Sequence, residues 1–419
     1  MKKRLQAALL AGVLSIAMLA GCGTVDEGTS SPSEENKAQT AKEDDGTVDV
    51  VLSLGNASDY YIGTMVGENL QQAFEDAGAS VQILDGGDDV ANQVNQIQNA
   101  VTSGADIIYI FPAGDGPTYY DVLQTARSAG VRTIMSNNYP GEGGADVYVG
   151  SDEFQMGVMM SALLSEWADE TYPDAGKGEV DVLIAESTFS ENPIRRCLGM
   201  RLIGEKFLRK CDTASIYYVK EEGDPVTYID ENGKETEVDE PTGGLILDEE
   251  GHAQLNPYYN EKINLMEYSN RNSAGTEANE AQNAIENAVT MGGENLKAFI
   301  SYGDVGAAAE TKIRELCADG KIKTDVSKFA VFCSDLTDTN KSLILNSGND
   351  ESILRGVMAS GDLVQTLMED AKAMVDGEEP PEFTMEPISY MRLNEAGDDI
   401  ETVYYTDCPQ LPDTEEFFD

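Results

Sequence analysis

The 419-residue chain has a single histidine, His252. A Ser-His-Asp triad would have to use that one imidazole, and a zinc site with two or more histidines cannot be built. Basic residues are scarce: 28 Lys and Arg stand against 76 Asp and Glu, a formal net charge of −48. A polyanion of this size repels phosphate backbones, which excludes nucleic acid as a partner. No GxSxG, P-loop or GxGxxG sequence sits at a strand-to-helix junction, and Gly141-Glu142-Gly143-Gly144 precedes no helical pattern. The six cysteines form neither a CxxC metal clip nor a disulfide framework. Beyond residue 20 no apolar run reaches the length of a membrane helix. Nothing in the chain calls for a cofactor or a metal.

What is present begins at the first residue. Met1-Lys2-Lys3-Arg4 is basic, residues 5–20 are apolar, and Leu19-Ala20-Gly21-Cys22 follows. The order is that of a signal peptide, and the last four residues resemble a bacterial lipobox. That resemblance implies a signal peptide over residues 1–21, cleavage before Cys22 and acylation of its sulfur, so that lipid on Cys22 is the membrane anchor. An odd set of five cysteines then remains, expected as buried or free thiols: Cys197, Cys211, Cys317, Cys333 and Cys408. Residues 22–47 are polar and acidic and read as a disordered tether.

From residue 48 the chain alternates short apolar strands with amphipathic helices. Strands are expected at 48–52, 81–84, 107–111 and 131–135, with helices between them ending at Gly78, Gly104 and Gly130. The three glycines fall at equal intervals, one per β-α unit. This is the pattern of a parallel sheet covered by helices. A long helix from 152 to 169 leads to a second series: strands at 180–185, 216–219, 296–301 and 329–333, with helices at 192–209, 277–291 and 305–317. Residues 220–262 break the pattern and carry hairpin signals around Asn232-Gly233 and Glu250-Gly251-His252. A helix at 363–375 and a hairpin over 391–405 close the pattern. The fold class is α/β, with two doubly wound parallel-sheet lobes joined by a multi-strand hinge. The expected boundaries are 48–151 with about 359–390 for the N-terminal lobe, and 152–358 with about 391–408 for the C-terminal lobe. Residues 409–419 read as a frayed acidic tail.

Local patterns narrow the function. Ser58-Asp59-Tyr60-Tyr61 follows the first strand, Asn137-Asn138 the fourth, and Gly150-Ser151-Asp152 opens the long helix. In the second series, Arg195-Arg196-Cys197-Leu198-Gly199 opens a helix, Tyr302-Gly303-Asp304 follows one strand and Ser334-Asp335 another. Over residues 48–405 the chain resembles the type I periplasmic binding proteins, the ribose- and galactose-binding class. That resemblance implies a sugar bound between the lobes. Tyr60 and Tyr61 match its ring-stacking positions, Arg196 its hydroxyl-binding arginine, with Arg195 as the fallback, and Asp304 and Asp335 its hydroxyl-accepting aspartates. Asn137 and Asn138 stand where the family has an acidic and a basic residue; amides both donate and accept, which suits hydroxyls. The family's last contact, a glutamine near Ala359 and Ser360, is missing.

The expected function is therefore an extracytoplasmic, monomeric solute-binding lipoprotein that delivers a pentose, hexose or similar polyol to the permease of an ABC importer, without catalysis. A sensor lipoprotein of the same fold is the alternative. A glycoside-processing enzyme is a weaker third reading, because acidic pairs alone can support that chemistry.

Overall fold

The computed structural model describes residues 46–418, apart from 189, 213–216, 220, 240, 241, 267–273 and 350; the side chains of Tyr60, Tyr217 and Asn349 are also outside the description, as are the signal sequence and Cys22. In chain order the first elements are β1 (Asp49–Leu54), α1 (Asn69–Asp76), β2 (Ser80–Asp85), α2 (Val90–Ser103), β3 (Ile107–Phe111), α3 (Tyr120–Ala129), β4 (Arg132–Ser136), β5 (Val147–Gly150) and α4 (Glu153–Thr171). Then come β6 (Val180–Ala185), α5 (Glu191–Arg201), β7 (Cys211–Asp212), β8 (Tyr217–Tyr218), β9 (Thr227–Ile229), β10 (Glu235–Glu237), β11 (Ile263–Met266) and α6 (Ala278–Thr290). The rest are β12 (Ala298–Ser301), α7 (Gly306–Ala318), β13 (Ala330–Ser334), α8 (Asp338–Asn346), β14 (Leu354–Ser360), α9 (Leu363–Val375), β15 (Phe383–Met385), β16 (Ile388–Leu393) and β17 (Ile400–Tyr404).

Two parallel sheets carry the molecule. The first has the order β15-β5-β4-β3-β1-β2 with every neighbour parallel; the second runs β11-β6-β12-β13-β14-β16-β17, parallel as far as β14 and antiparallel beyond it. Helices cover both faces, so strand residues are apolar at successive positions rather than at alternate ones. Val50, Leu52 and Leu54 pack with α1 and α9 on one face of the first sheet, while Val51, Ile108 and Ile110 pack with α2 and α3 on the other. Gly104 and Gly130 close α2 and α3 in the left-handed conformation, at φ 85° and 80°. That conformation is why glycine recurs at each helix end.

The chain passes between the sheets three times: from β5 to α4, from β14 to α9, and from β15 to β16. The first crossing delivers α4, which lies against α5 at an unusually close approach. A Cβ on Gly157 would come within 2.7 Å of the Met200 nitrogen, and one on Gly199 within 2.9 Å of the Val158 nitrogen. Two facing glycines therefore set the crossing, and it carries the side chains of α5 onto those of α4.

The second series departs from the sequence reading in three places. The helix expected over 192–209 stops at Arg201: a tighter turn over Leu202–Gly204 follows, and the backbone at Phe207 and Leu208 pairs instead with the chain at Gln254 and Leu255. The strand expected at 216–219 does not join the main sheet. Tyr217–Tyr218 pairs with Cys211–Asp212, and β11 fills the sheet edge instead. The interruption of the β-α series thus begins soon after α5, and β9 and β10 form an antiparallel hairpin inside it. Third, the C-terminal residues are not frayed. Phe417 is fully buried with its ring centroid 4.5 Å from that of Phe154 in α4. The five cysteines from Cys197 to Cys408 are all unpaired. Among the described residues, no helix is long and apolar enough to cross a membrane.

Candidate functional site

Parallel strands end on the same side, so the loops after them gather into one crevice per sheet. After β1 comes a wide helical turn, Tyr60–Glu68, capped by the Asp59 carboxylate on the Ile62 nitrogen. Asn137 follows β4 in the first lobe and Asp335 follows β13 in the second, at φ 70° and 64°. Asp88 is the other non-glycine residue with positive φ among the described residues. Asn and Asp tolerate this region better than other side chains, and such backbone strain tends to persist at ligand clamps. Each lobe thus presents one left-handed polar residue directly after a buried serine, Ser136 or Ser334.

The glycine crossing places Arg196 against Glu153. The guanidinium donates from Nε to the Glu153 carboxylate at 2.6 Å and from Nη1 to the Tyr302 carbonyl at 3.0 Å, and it lies 4.4 Å from the Tyr302 ring centroid. Both ions are buried, so each needs the other: an unpaired charge there would cost several kcal/mol. Burial pushes the Glu153 carboxyl up while Arg196 pulls it back down. Tyr61 lies in the same field. Burial, reinforced by the Asp335 carboxylate, pushes its hydroxyl up, and Arg196 opposes. The fully buried amide of Asn340 ties the remaining pieces, donating to Asp304 at 2.8 Å and to the Asp335 carbonyl at 2.9 Å. Burial raises the Asp304 carboxyl against that hydrogen bond. Arg196, Glu153, Asp304 and Asp335 are therefore the polar groups of the second lobe near this point, and the Tyr61 hydroxyl of the first lobe lies within their electrostatic reach.

Beside this cluster, and sharing Glu153 with it, lies a cavity of about 470 Å³. Asn137 and Asn138 line it from the first lobe. Asn138 is buried; its amide donates to the Gly114 carbonyl at 2.8 Å, while its Oδ1 has no partner. The aromatic wall is Tyr139, Tyr148 and Phe383: centroids lie 5.0 Å apart for Tyr139–Tyr148 and 5.4 Å for each pair with Phe383. The second lobe contributes Glu191, Asn192 and Arg195. The lobes also touch here. The Asn192 amide donates to the Asn137 carbonyl at 2.9 Å, and the Glu191 nitrogen to the Asp115 carboxylate at 3.1 Å.

The structure thus divides the sequence-derived residues in two. Asn137 and Asn138 line the cavity; Tyr61, Arg196, Asp304 and Asp335 lie in the adjoining cluster and not in its lining. The backbone of Tyr60 opens the wide turn, and its side chain lies outside the described ones. Sequence reasoning missed Glu153, Tyr139, Tyr148 and Phe383, and with them Thr414 and Glu415, which also line the cavity. One signal was available for Glu153: an acidic residue in the first turn of a helix whose next three turns carry no other charge. The single histidine lies elsewhere, on an exposed turn where ligand atoms of Asp248, Glu250 and His252 come within 4.8 Å of one another.

Comparison with known proteins agrees with this geometry. Residues 50–239 match the family model described as "Periplasmic binding protein domain". The multiple sugar-binding periplasmic receptor ChvE of Rhizobium radiobacter is 34% identical over 119 residues, which are 28% of this chain and 32% of the receptor. The aligned part spans about a third of the length of that curated relative. Among solved structures, the Caulobacter myo-inositol binding protein bound to myo-inositol has a TM-score of 0.53 at 16% identity, covering 86% of this chain and 94% of that one. A periplasmic solute binding protein of an ABC transporter from Actinobacillus succinogenes, with bound D-allose, has a TM-score of 0.52 at 15% identity, covering 86% and 99%. The fold is that of the type I periplasmic binding proteins, a mixed α/β architecture of two lobes.

Proposed function

We propose, on the premise of a type I periplasmic binding fold, that the chain captures a small neutral sugar between its lobes and hands it to an ABC importer. The observation that carries this reading is the buried pairing of Arg196 with Glu153, whose carboxylate also lines a cavity shared with Asn137 and Asn138 of the first lobe. Planar guanidinium donors and carboxylate acceptors suit vicinal hydroxyls, and aromatic faces suit the weakly apolar faces of a sugar ring. The names and bound ligands of the relatives support the same class. The role we propose is binding, in keeping with the solute-binding names of the relatives. Ligand contacts from both lobes favour the closed state, which a permease then reads. The sequence expectation of an acylated Cys22 fits this role, with the protein acting as a monomer tethered to the outer face of the cell membrane.

A thermal-shift panel of pentoses, hexoses and inositols tests the reading, followed by calorimetric titration of any hit. At least one sugar raises the midpoint of the wild-type protein, and Arg196→Ala abolishes the shift. A panel with no shift, on protein shown to carry no co-purified ligand, removes the proposal.

A further inference from the structure

The end of the chain returns to the cleft. Thr414 and Glu415 line the same cavity as Asn137, Asn138 and the aromatic wall. An acidic chain terminus is ordinarily loose, but this one is held at several points. Phe417 is fully buried against Phe154, and the Phe418 ring meets the same residue edge-on at 5.4 Å. The Thr414 hydroxyl bonds to the Asp152 carboxylate at the first crossing between lobes, and the Tyr258 hydroxyl donates to the Pro409 carbonyl.

The charged residues of this segment have a different character from its aromatic anchors. Arg195 donates to Glu191 from Nε at 3.0 Å and to Glu415 from Nη1 at 2.8 Å, and its guanidinium sits 4.3 Å from the Phe418 centroid. The Glu415 side chain is 68% exposed. An ion pair that open to water adds little to stability. What the contact does accomplish is positional: it holds Arg195 and a second carboxylate in the lining of the cavity that Asn137 and Asn138 also line.

We propose that residues 413–418 are a wall of the ligand site and that Glu415 selects among sugars. This rests on the sugar-binding reading above. A sugar held in this cavity meets Thr414 and Glu415 as part of its lining. The Glu415 carboxylate accepts a charge-assisted hydrogen bond from a hydroxyl of the correct configuration. An epimer that points the hydroxyl elsewhere leaves the carboxylate without that bond. The buried aromatic anchors make the wall rigid, which is what discrimination between epimers requires.

The test uses calorimetric titration of the purified protein with its preferred sugar and that sugar's epimers, beside thermal unfolding. Glu415→Gln and Glu415→Ala are expected to leave the unfolding midpoint unchanged. Affinity for the preferred sugar falls on the order of tenfold, the effect of one lost charged hydrogen bond, and the affinity ratio between epimers contracts. Phe417→Ala contracts the same ratio and also lowers the midpoint. Unchanged affinities and ratios in both Glu415 variants, with the wild type binding sugar, overturn the selector role and leave the sugar-binding reading standing. A uniform loss across all epimers together with a lowered midpoint also overturns it, because that is a structural effect. If the wild type binds no sugar, both readings fall.

Discussion

Replacing Gly199 with Ala adds one methyl group at the point where α4 and α5 cross. The new Cβ would lie 2.9 Å from the Val158 nitrogen and 3.0 Å from the Gly157 Cα, and closer still to the Phe154 carbonyl oxygen. All three are backbone atoms of α4, so no side-chain rotation relieves the clash; the helices must part. Ser161 then loses its hydrogen bonds to the Gly199 and Met200 carbonyls, now 3.0 and 3.1 Å long. Overpacking of a tight core costs about 1–3 kcal/mol, and the strained hydroxyl bonds put this variant toward the upper end. Arg196 lies three residues before Gly199 on α5, so the same displacement pulls it away from Glu153 on α4, and sugar affinity falls along with stability. Urea unfolding and calorimetric titration read the two effects separately. Gly204→Ala is the control: its Cβ meets only the Leu265 side chain, at 3.4 Å, and is expected to change stability by less than about 0.5 kcal/mol. A Gly199→Ala protein with wild-type stability and affinity refutes the claim that this crossing positions the site.

Other consequences follow from the same structure. Arg201 makes a buried two-point contact with Glu186, so Arg201→Ala is expected to destabilise the fold by about 3–5 kcal/mol, measured by denaturant unfolding, because it takes the two charged hydrogen bonds away from a buried carboxylate. Burial, with help from the Glu369 and Glu386 carboxylates, raises the Asp370 carboxyl to about 6, and its Oδ2 has no partner. The folded state therefore holds this proton more tightly than the unfolded chain. The contribution is full below pH about 4 and lost as pH rises through about 6. Asp370→Asn is expected to raise the unfolding midpoint at pH 7.5 and to leave it unchanged at pH 4. The cavity lining holds the carboxylates Asp115, Asp152, Glu153, Glu191 and Glu415 against Arg195 as its arginine. Uronates and sugar phosphates are accordingly expected to give no calorimetric signal where the parent neutral sugar binds.

The repeating part of the fold was legible because its causes are local. Each β-α unit needs an apolar strand and a helix that ends in a left-handed residue, and Gly78, Gly104 and Gly130 mark those ends. Asn137 and Asp335 stand out in the sequence because each directly follows a strand, and Arg196 because it is one of two adjacent arginines in α5. The aromatic wall does not, since Phe383 arrives beside Tyr139 only through the second crossing and the pairing of β15 with β5. Glu153 became meaningful only once Gly157 and Gly199 were seen to face each other. The tail misled for a physical reason: its acidic composition predicts fraying, whereas two terminal phenylalanines on Phe154 decide its place.

Hydrogen exchange with and without saturating sugar reads the central claim most directly, since amides slow where a ligand seats and where lobes close. Protection is expected in both lobes at once: at residues 137–141 of the first, and at residues 191–201 and 334–336 of the second. Protection confined to one lobe, or none at saturation, contradicts a sugar held between them.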